Sequence, residues 1–475
     1  MTTPFWVAGK PVTSTEIVTI YSPFDGSVAG RHALPTDADV EAAVAAAAEA
    51  AAETAALPLH VRADALDHVS RALDARRDEF AAIITAESGK PLKWAQAEAG
   101  RAVATFRFAA EEARRFSPTM QRLDTDAAGV GRLAMIRRVS RGPVLGISPF
   151  NFPLNLVAHK VAPAIAAGSP IVLKPAPATP LTALLLGELL AETQLPAGSW
   201  SVLPVPNSAA PALVADPRLP VVSFTGSVPV GWGIKESVPR KQVVLELGGN
   251  GAVLVAPDWT DIDTAARKLA LFSMYQAGQV CIAVQRVYVH VSRYEELRDK
   301  IVAATHQLTV GDPRDAGTDV GPMISQAAAE RAEAWVRAAV AAGATLLTGG
   351  DRDGALLRPT VLAEVPEDAA VMADEVFAPV LSINPVQSVE EGFDKINASR
   401  FGLQAGVFTS DLHTAFEAAA KLAVGGVVIG DVPSYRADQM PYGGMKDSGV
   451  GREGPASAMI DFTEEQVTIF TGLPL

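Results

Sequence analysis

The stretch YQAGQVCIAVQRV, residues 275 to 287, holds the only cysteine of 475 residues, Cys281. A cysteine does nucleophilic work as a thiolate, which needs access and a base or a positive field nearby. The Gly-Gln-Val turn before Cys281 offers access. An isolated cysteine is also often a small buried hydrophobe, so its partners have to be sought elsewhere in the chain. Glu246 closes an apolar run in VVLELGGNGAVLV. Apolar surroundings raise a carboxyl pKa toward the range of a general base working near neutrality; the bland alternative is a strand-end glutamate facing solvent. Asn151, in ISPFNFPLN, carries an amide able to donate to a developing oxyanion, in a loop stiffened by Pro149 and Pro153. Asparagine is also an ordinary turn residue.

A second group of residues has the chemistry of a phosphate and ribose site. VVSFTGSVPVG runs strand, Gly, Ser, helix, so Gly226 and Ser227 would present backbone N–H groups at a helix N-terminus. The run is not a G-x-G-x-x-G fingerprint. Lys174 ends the apolar run IVLK, where open α/β sheets bind cofactors. Glu375 and Phe377 stand two apart in DEVFAPV, read here as extended; one could bond a sugar hydroxyl while the other packs on a flat ring.

The elements that must position these residues are legible in the pattern. Alanine-rich helical stretches fill the first part, the earliest with an N-cap candidate at Thr36 or Asp37. From residue 139 short apolar strands alternate with helices, which predicts a parallel sheet with helices on both faces, and the alternation resumes after Gly249. The closing segment SAMIDFTEEQVTIF ends in alternating apolar residues, the pattern of an edge strand seeking a partner, in this chain or in another subunit. Length alone favours more than one core. The net charge of −13 disfavours nucleic acid, whose phosphates call for a basic face. One cysteine allows no internal disulfide, the first residues carry no secretory pattern, and no apolar run could span a bilayer, so a cytoplasmic protein without membrane partners is expected. No metal site is expected.

Taken in order, SPFNFP, KPAPATP, FTGS, ELGG, GQVC, EVFAP, FGLQAGVFT and PYGGMKDSGVGREG span residues 148 to 454 and resemble the aldehyde dehydrogenase superfamily. The resemblance implies an α/β fold with two Rossmann-like parallel-sheet domains and a small β oligomerisation element. A cofactor-binding domain would take residues 1–118 and 140–247, a catalytic domain 248–453, and the oligomerisation element 119–139 with 454–475. It implies a homodimer or homotetramer acting on a small-molecule aldehyde with NAD or NADP. Cys281 would be the nucleophile that forms a thiohemiacetal, and Asn151 with the Cys281 N–H would hold the oxyanion. Hydride would pass to the nicotinamide, and Glu246 would activate the water that hydrolyses the thioester. Lys174 would meet the adenine ribose, Gly226 and Ser227 the pyrophosphate, Glu375 the nicotinamide ribose, and Phe377 the nicotinamide.

Two departures bear on specificity. Pro177 stands where many NAD-preferring members carry a glutamate that bonds the ribose 2′-OH and repels a 2′-phosphate, so both cofactors are permitted; the lack of an added arginine in KPAPATP favours NAD. The segment GGVVIGDVPSYRADQMPYGG resembles the branch of lactaldehyde, glyceraldehyde-3-phosphate and phosphonoacetaldehyde dehydrogenases. Arg107, Arg286 and Arg436 are candidates to hold a distal anionic group, since guanidinium pairs bidentately with such anions; structural ion pairing is the alternative. The expected substrate is a short aldehyde with a distal anionic or hydroxyl group. Two rival readings are a CoA-acylating enzyme, against which Glu246 argues, and a catalytically silent scaffold, against which Cys281, Glu246 and Asn151 together argue.

Overall fold

Short apolar strands joined by helices can pair in parallel only when both faces are covered. The computed structural model, which describes residues 2–474, shows that arrangement twice. The first sheet runs Lys10–Val12, Phe5–Val7, Trp200–Val202, Ile171–Lys174, Val144–Ile147, Val221–Thr225, Gln242–Glu246, Gly449–Val450. Its centre is parallel and its flanks are antiparallel. Chain order reverses between Val144–Ile147 and Val221–Thr225, the kind of switch point where a crevice opens beyond the carboxyl ends of strands. Register aligns those ends: Ile147 lies opposite Lys174 and beside Phe224, and Thr225 lies opposite Glu246. A single edge therefore presents the loop to Asn151, Lys174, the loop of Gly226 and Ser227, and Glu246.

The second sheet runs Thr345–Thr348, Thr360–Ala363, Val380–Val386, Val284–His290, Gly251–Val255, Gln404–Phe408, Gly426–Ile429, all parallel except the first. Here the functional segments enter the strands. Gly248 and Gly249 precede Gly251–Val255, Cys281 precedes Val284–His290, and Glu375 to Phe377 precede Val380–Val386. The carboxyl edge of one sheet thus meets the amino edge of the other. Each sheet has its own apolar core, and a small third cluster of Val280, Ile282, Leu403 and Tyr442, with Phe152, Tyr275 and Cys281 against it, fills the seam.

A separate three-stranded sheet runs Thr463–Thr471, Arg132–Ser140, Thr119–Arg122. The tail strand finds its partner within the chain, with Thr463 opposite Ser140 through Thr471 opposite Arg132. An equally long strand, Arg132–Ser140, supplies the matching edge; the outer edge of the tail strand stays unpaired, with Val467, Ile469 and Phe470 exposed. Leu475, the end of the oligomerisation element expected from the sequence, lies outside the described residues, as does Met1. No helix among the described residues is long and apolar enough to cross a membrane.

Two helices bring the site loop into place. Of the two early cap candidates, Thr36 is the N-cap, in a capping box with Asp39. More consequential is Asn155–Ala167, in which every residue is buried, His159 and Lys160 included. Its first N–H groups lack intrahelical acceptors. Glu98, on helix Leu92–Arg115, accepts from the N–H groups of Leu154 at 2.9 Å and Asn155 at 3.1 Å, placing an anion at the positive helix end. Its other oxygen pairs with Lys90, whose amine burial lowers to about 8 against the pull of Glu98. Glu98→Ala would leave Lys90 buried without its counter-charge, a loss of about 3–5 kcal/mol. A urea titration followed by tryptophan fluorescence should show that drop, and an unchanged midpoint would show that the pair does not hold the loop.

Candidate active site

The seam between the sheets encloses a cavity of about 1260 Å³. Cys281, Asn151 and Glu246 line it together with Lys174, Gly226, Ser227, Glu375 and Phe377. Cys281 follows a tight turn, Tyr275–Gly278, in which Gln276 and Ala277 both take left-handed φ values of 54°. Such conformations cost of order 1–3 kcal/mol each in a non-glycine residue. Side-chain bonds hold the turn: the Gln276 amide donates to the Asn151 carbonyl, and the Asn151 amide donates back to the Gln279 carbonyl at 2.9 Å. The Gln279 carboxamide oxygen in turn accepts from the Ile324 N–H at 2.9 Å. A Cβ on Gly249 would strike the Cys281 carbonyl oxygen, so only glycine lets the strand after Glu246 pass this close. Among the described residues the Cys281 N–H has no acceptor.

The charges are sharply differentiated. Burial pushes the Cys281 thiol up to about 12, while a hydrogen bond with the Tyr442 hydroxyl at 2.9 Å pulls the other way. Glu246 is 3% exposed, and among the described residues neither of its oxygens has a hydrogen-bond partner. Burial, then the negative charge of Glu453, hold it well above the ordinary carboxyl range, only partly offset by Arg436 and Lys160. Burial acts on Glu453 too, but Lys160 and Arg436 win and hold it low. Its partners are Lys160 at 3.4 Å, the Thr225 hydroxyl at 3.2 Å and Arg436 at 3.0 Å. Two neighbouring carboxyls are thus pushed in opposite directions, Glu453 down and Glu246 up.

The other end of the cavity suits a dinucleotide. Ser227 caps helix Val228–Ser237 without a side-chain bond, so N–H groups at the helix start are open to an anion. A Cβ on Gly226 would stand 2.5 Å from the Phe224 ring, so glycine keeps that cradle clear. Lys174 donates to the Asn207 side chain at 3.0 Å, and burial lowers its amine to about 8. Burial raises Glu375 to about 7 even though it accepts from the Gly249 N–H at 3.1 Å. The segment to Phe377 is not extended as its sequence suggested: Phe377 has φ 53°. Gln285 forces the bend, accepting from the Val376 N–H at 3.1 Å and donating to the Asp374 carbonyl at 2.6 Å.

A second cavity, of about 310 Å³, lies beside the seam cluster and is lined by Arg101, Lys268 and Arg436 with Trp94, Phe152, Phe272, Tyr275 and Tyr435. Of the three arginines picked from the sequence, the structure brings only Arg436 here. Arg107 is exposed on its helix, 3.9 Å from Glu111. Arg286 is buried among structural acceptors, the Asn250 side chain at 2.8 Å and the Lys395 carbonyl at 3.3 Å. Arg101 sits six residues before Arg107, about 240° round the helix at 3.6 residues per turn, and that rotation turns it inward. Asp438 grips it at 2.8 and 3.2 Å while also holding His159 and Asn155, both at 3.0 Å. Sequence reasoning also passed over Lys160, Tyr442 and Glu453. The signal for Lys160 was present, a lysine in the middle of the mostly apolar NLVAHKVAPAIAA.

The aldehyde dehydrogenase family profile matches residues 6–468. A 3-sulfolactaldehyde dehydrogenase of Priestia megaterium is 40% identical over 465 residues, 98% of this chain and 97% of that protein. The crystal structure of aldehyde dehydrogenase 21 from Physcomitrella patens, in complex with the reaction product succinate, matches with a TM-score of 0.98 and 42% identity, covering 100% of this chain and 99% of that one. The NADP-dependent glyceraldehyde-3-phosphate dehydrogenase from Bacillus halodurans, complexed with NADP, matches with a TM-score of 0.95 and 33% identity, covering 99% of each.

The raised Cys281 thiol has a direct consequence in the free protein. Iodoacetamide should modify Cys281 at a rate that climbs with pH through 10, because only the thiolate reacts. A plateau below pH 8 would show that another group sets its ionisation.

Proposed function

The chain belongs to the aldehyde dehydrogenase family, whose members are NAD(P)-dependent oxidoreductases, and from that premise we propose what its own residues do. The Cys281 thiolate adds to the aldehyde carbon, forming a C–S bond and an oxyanion. The free Cys281 N–H and the Asn151 amide donate to that oxyanion. NAD(P), when bound, supplies the hydride acceptor. Glu246 then takes a proton from the water that attacks the thioester, releasing the carboxylic acid and restoring the sulfur. Lys174, Gly226, Ser227, Glu375 and Phe377 hold the cofactor. The observation that carries this reading is that Cys281, Asn151 and a Glu246 without a partner among the described residues line the same cavity as an open helix N-terminus. Partnerless Glu246 also favours water over CoA as the acyl acceptor.

Both NAD and NADP are accepted in this reading, because Ala176, Pro177 and Ala178 line the cavity near Lys174 and set no carboxylate against a 2′-phosphate. The substrate is a short aldehyde with a distal anionic or hydroxyl group. Support comes from the small cavity with Arg101, Lys268 and Arg436, and from likeness to proteins whose names or ligands carry sulfonate or carboxylate. The two sheets support the division into a cofactor-binding and a catalytic unit, and the unpaired, apolar outer edge of Thr463–Thr471 supports a homo-oligomer.

Reduced nicotinamide absorbance tests the mechanism: Cys281→Ala should give no turnover, and normal turnover would sink it. Glu246→Gln should give one burst of reduced nicotinamide per subunit followed by a steady rate about 10²-fold or more below wild type. Arg101→Lys keeps a charge near Asp438 but loses the fork. It should raise KM for succinate semialdehyde about tenfold, the scale of a charge-assisted hydrogen bond, and leave propionaldehyde nearly unchanged; equal effects on both would remove the anion pocket.

A further inference from the structure

The proposed chemistry asks Cys281 for a thiolate, yet burial pushes its thiol up even though the residue is only partly buried. No lysine or histidine forms a hydrogen bond with the sulfur among the described residues; its one partner is the Tyr442 hydroxyl, 2.9 Å away. Tyr442 is 3% exposed. Its backbone is clamped to Glu453 in both directions, at 3.0 and 2.7 Å, so the ring has a fixed origin. The Arg436 guanidinium lies 3.9 Å from the ring centroid, and Glu453 holds that guanidinium at 3.0 Å. A cation on the ring face draws electron density from the phenol and strengthens its O–H as a donor. Burial holds Tyr442 well above its ordinary value, so the hydroxyl keeps its proton to donate. Glu375, Glu246 and Tyr275 also act on the sulfur and none is a cation, while Arg436 favours the thiolate from behind the Tyr442 ring.

We propose that Tyr442 is a further catalytic residue, its hydroxyl donating a hydrogen bond that stabilises the Cys281 thiolate, with Arg436 and Glu453 as positioning residues behind it. The inference rests on Cys281 being the nucleophile. It explains why a buried ion pair, Arg436 with Glu453, stands against an aromatic ring one residue layer from the sulfur. Once the sulfur carries an acyl group it is a poor acceptor, and the hydroxyl no longer has a charged partner. The donor therefore favours the thiolate over the thioester.

The test separates this role from the reading beneath it, because alkylation needs neither cofactor nor aldehyde. The pH dependence of iodoacetamide modification of Cys281 would be compared in the full-length wild type and Tyr442→Phe. The variant keeps the ring under Arg436 and removes only the hydroxyl. The profile should move up by about one pH unit, a tenfold loss of thiolate at a given pH, as expected for losing one charge-assisted bond. The acylation limb of kcat/KM should move with it. An unchanged profile would reduce Tyr442 to a wall of the seam, and a downward shift would mean that the thiol donates to the tyrosine instead. Should Tyr442→Phe fold poorly, 3-fluorotyrosine at position 442, a stronger donor of nearly the same shape, should move the profile down; no movement would overturn the proposal. Cys281→Ala turnover reports independently on the nucleophile.

Discussion

Glu453 ties together parts of the chain that are far apart in sequence. Its carboxylate accepts from Lys160 on the buried helix, from Thr225 at the end of a strand of the first sheet, and from Arg436 in the loop beyond the second sheet. Burying ions is costly unless each is paired and its remaining valences are met, and here one anion serves two cations and a hydroxyl. The lowered pKa of Glu453 and the raised pKa of Glu246 are two outcomes of the same arrangement. Lys160 and Arg436 bond to Glu453 and leave Glu246, with the same kind of side chain, without a partner. An isolated carboxyl in an apolar seam is a proton acceptor whose acidity its surroundings set.

The seam also explains why a strained turn is kept. Gln276 and Ala277 take left-handed conformations just before Cys281, and the cross-bonds between the Gln276, Asn151 and Gln279 groups hold the turn in place. One set of bonds fixes the sulfur and the amide relative to each other, though they belong to different sheets. Opposite edges of the two sheets meet here, carboxyl ends from one and amino ends from the other. A small apolar cluster between them excludes water and strengthens the nearby electrostatics.

The second cavity is electrically busy but not simply positive. Arg101 is held by Asp438, Lys268 by Asp431 and Arg436 by Glu453. An anion placed there would meet cations whose charge is already balanced, and the Nε of Arg436, without a partner among the described residues, would count for more than net charge. The acidic chain as a whole is no obstacle, because screening and local pairing confine these fields to a few ångströms.

Sequence alone determined the alternation of strand and helix, the family resemblance and the motifs around Cys281, Asn151, Glu246, Lys174, Gly226, Ser227, Glu375 and Phe377. These are local signals: periodicity, turn chemistry and short runs at the ends of elements. Only the tertiary structure decided which charged side chains meet. Arg107, Arg286 and Arg436 looked alike in sequence, yet helix rotation exposes the first, a strand buries the second among carbonyls, and a loop lays the third on Tyr442. Tyr442 and Glu453 lie inside PYGGMKDSGVGREG, but nothing local says that a hydroxyl 161 residues away in sequence comes to lie 2.9 Å from a sulfur. Ionisation follows the same division. The sequence names the titratable groups, and burial with charged neighbours, a property of the folded chain, decides which of them hold a proton.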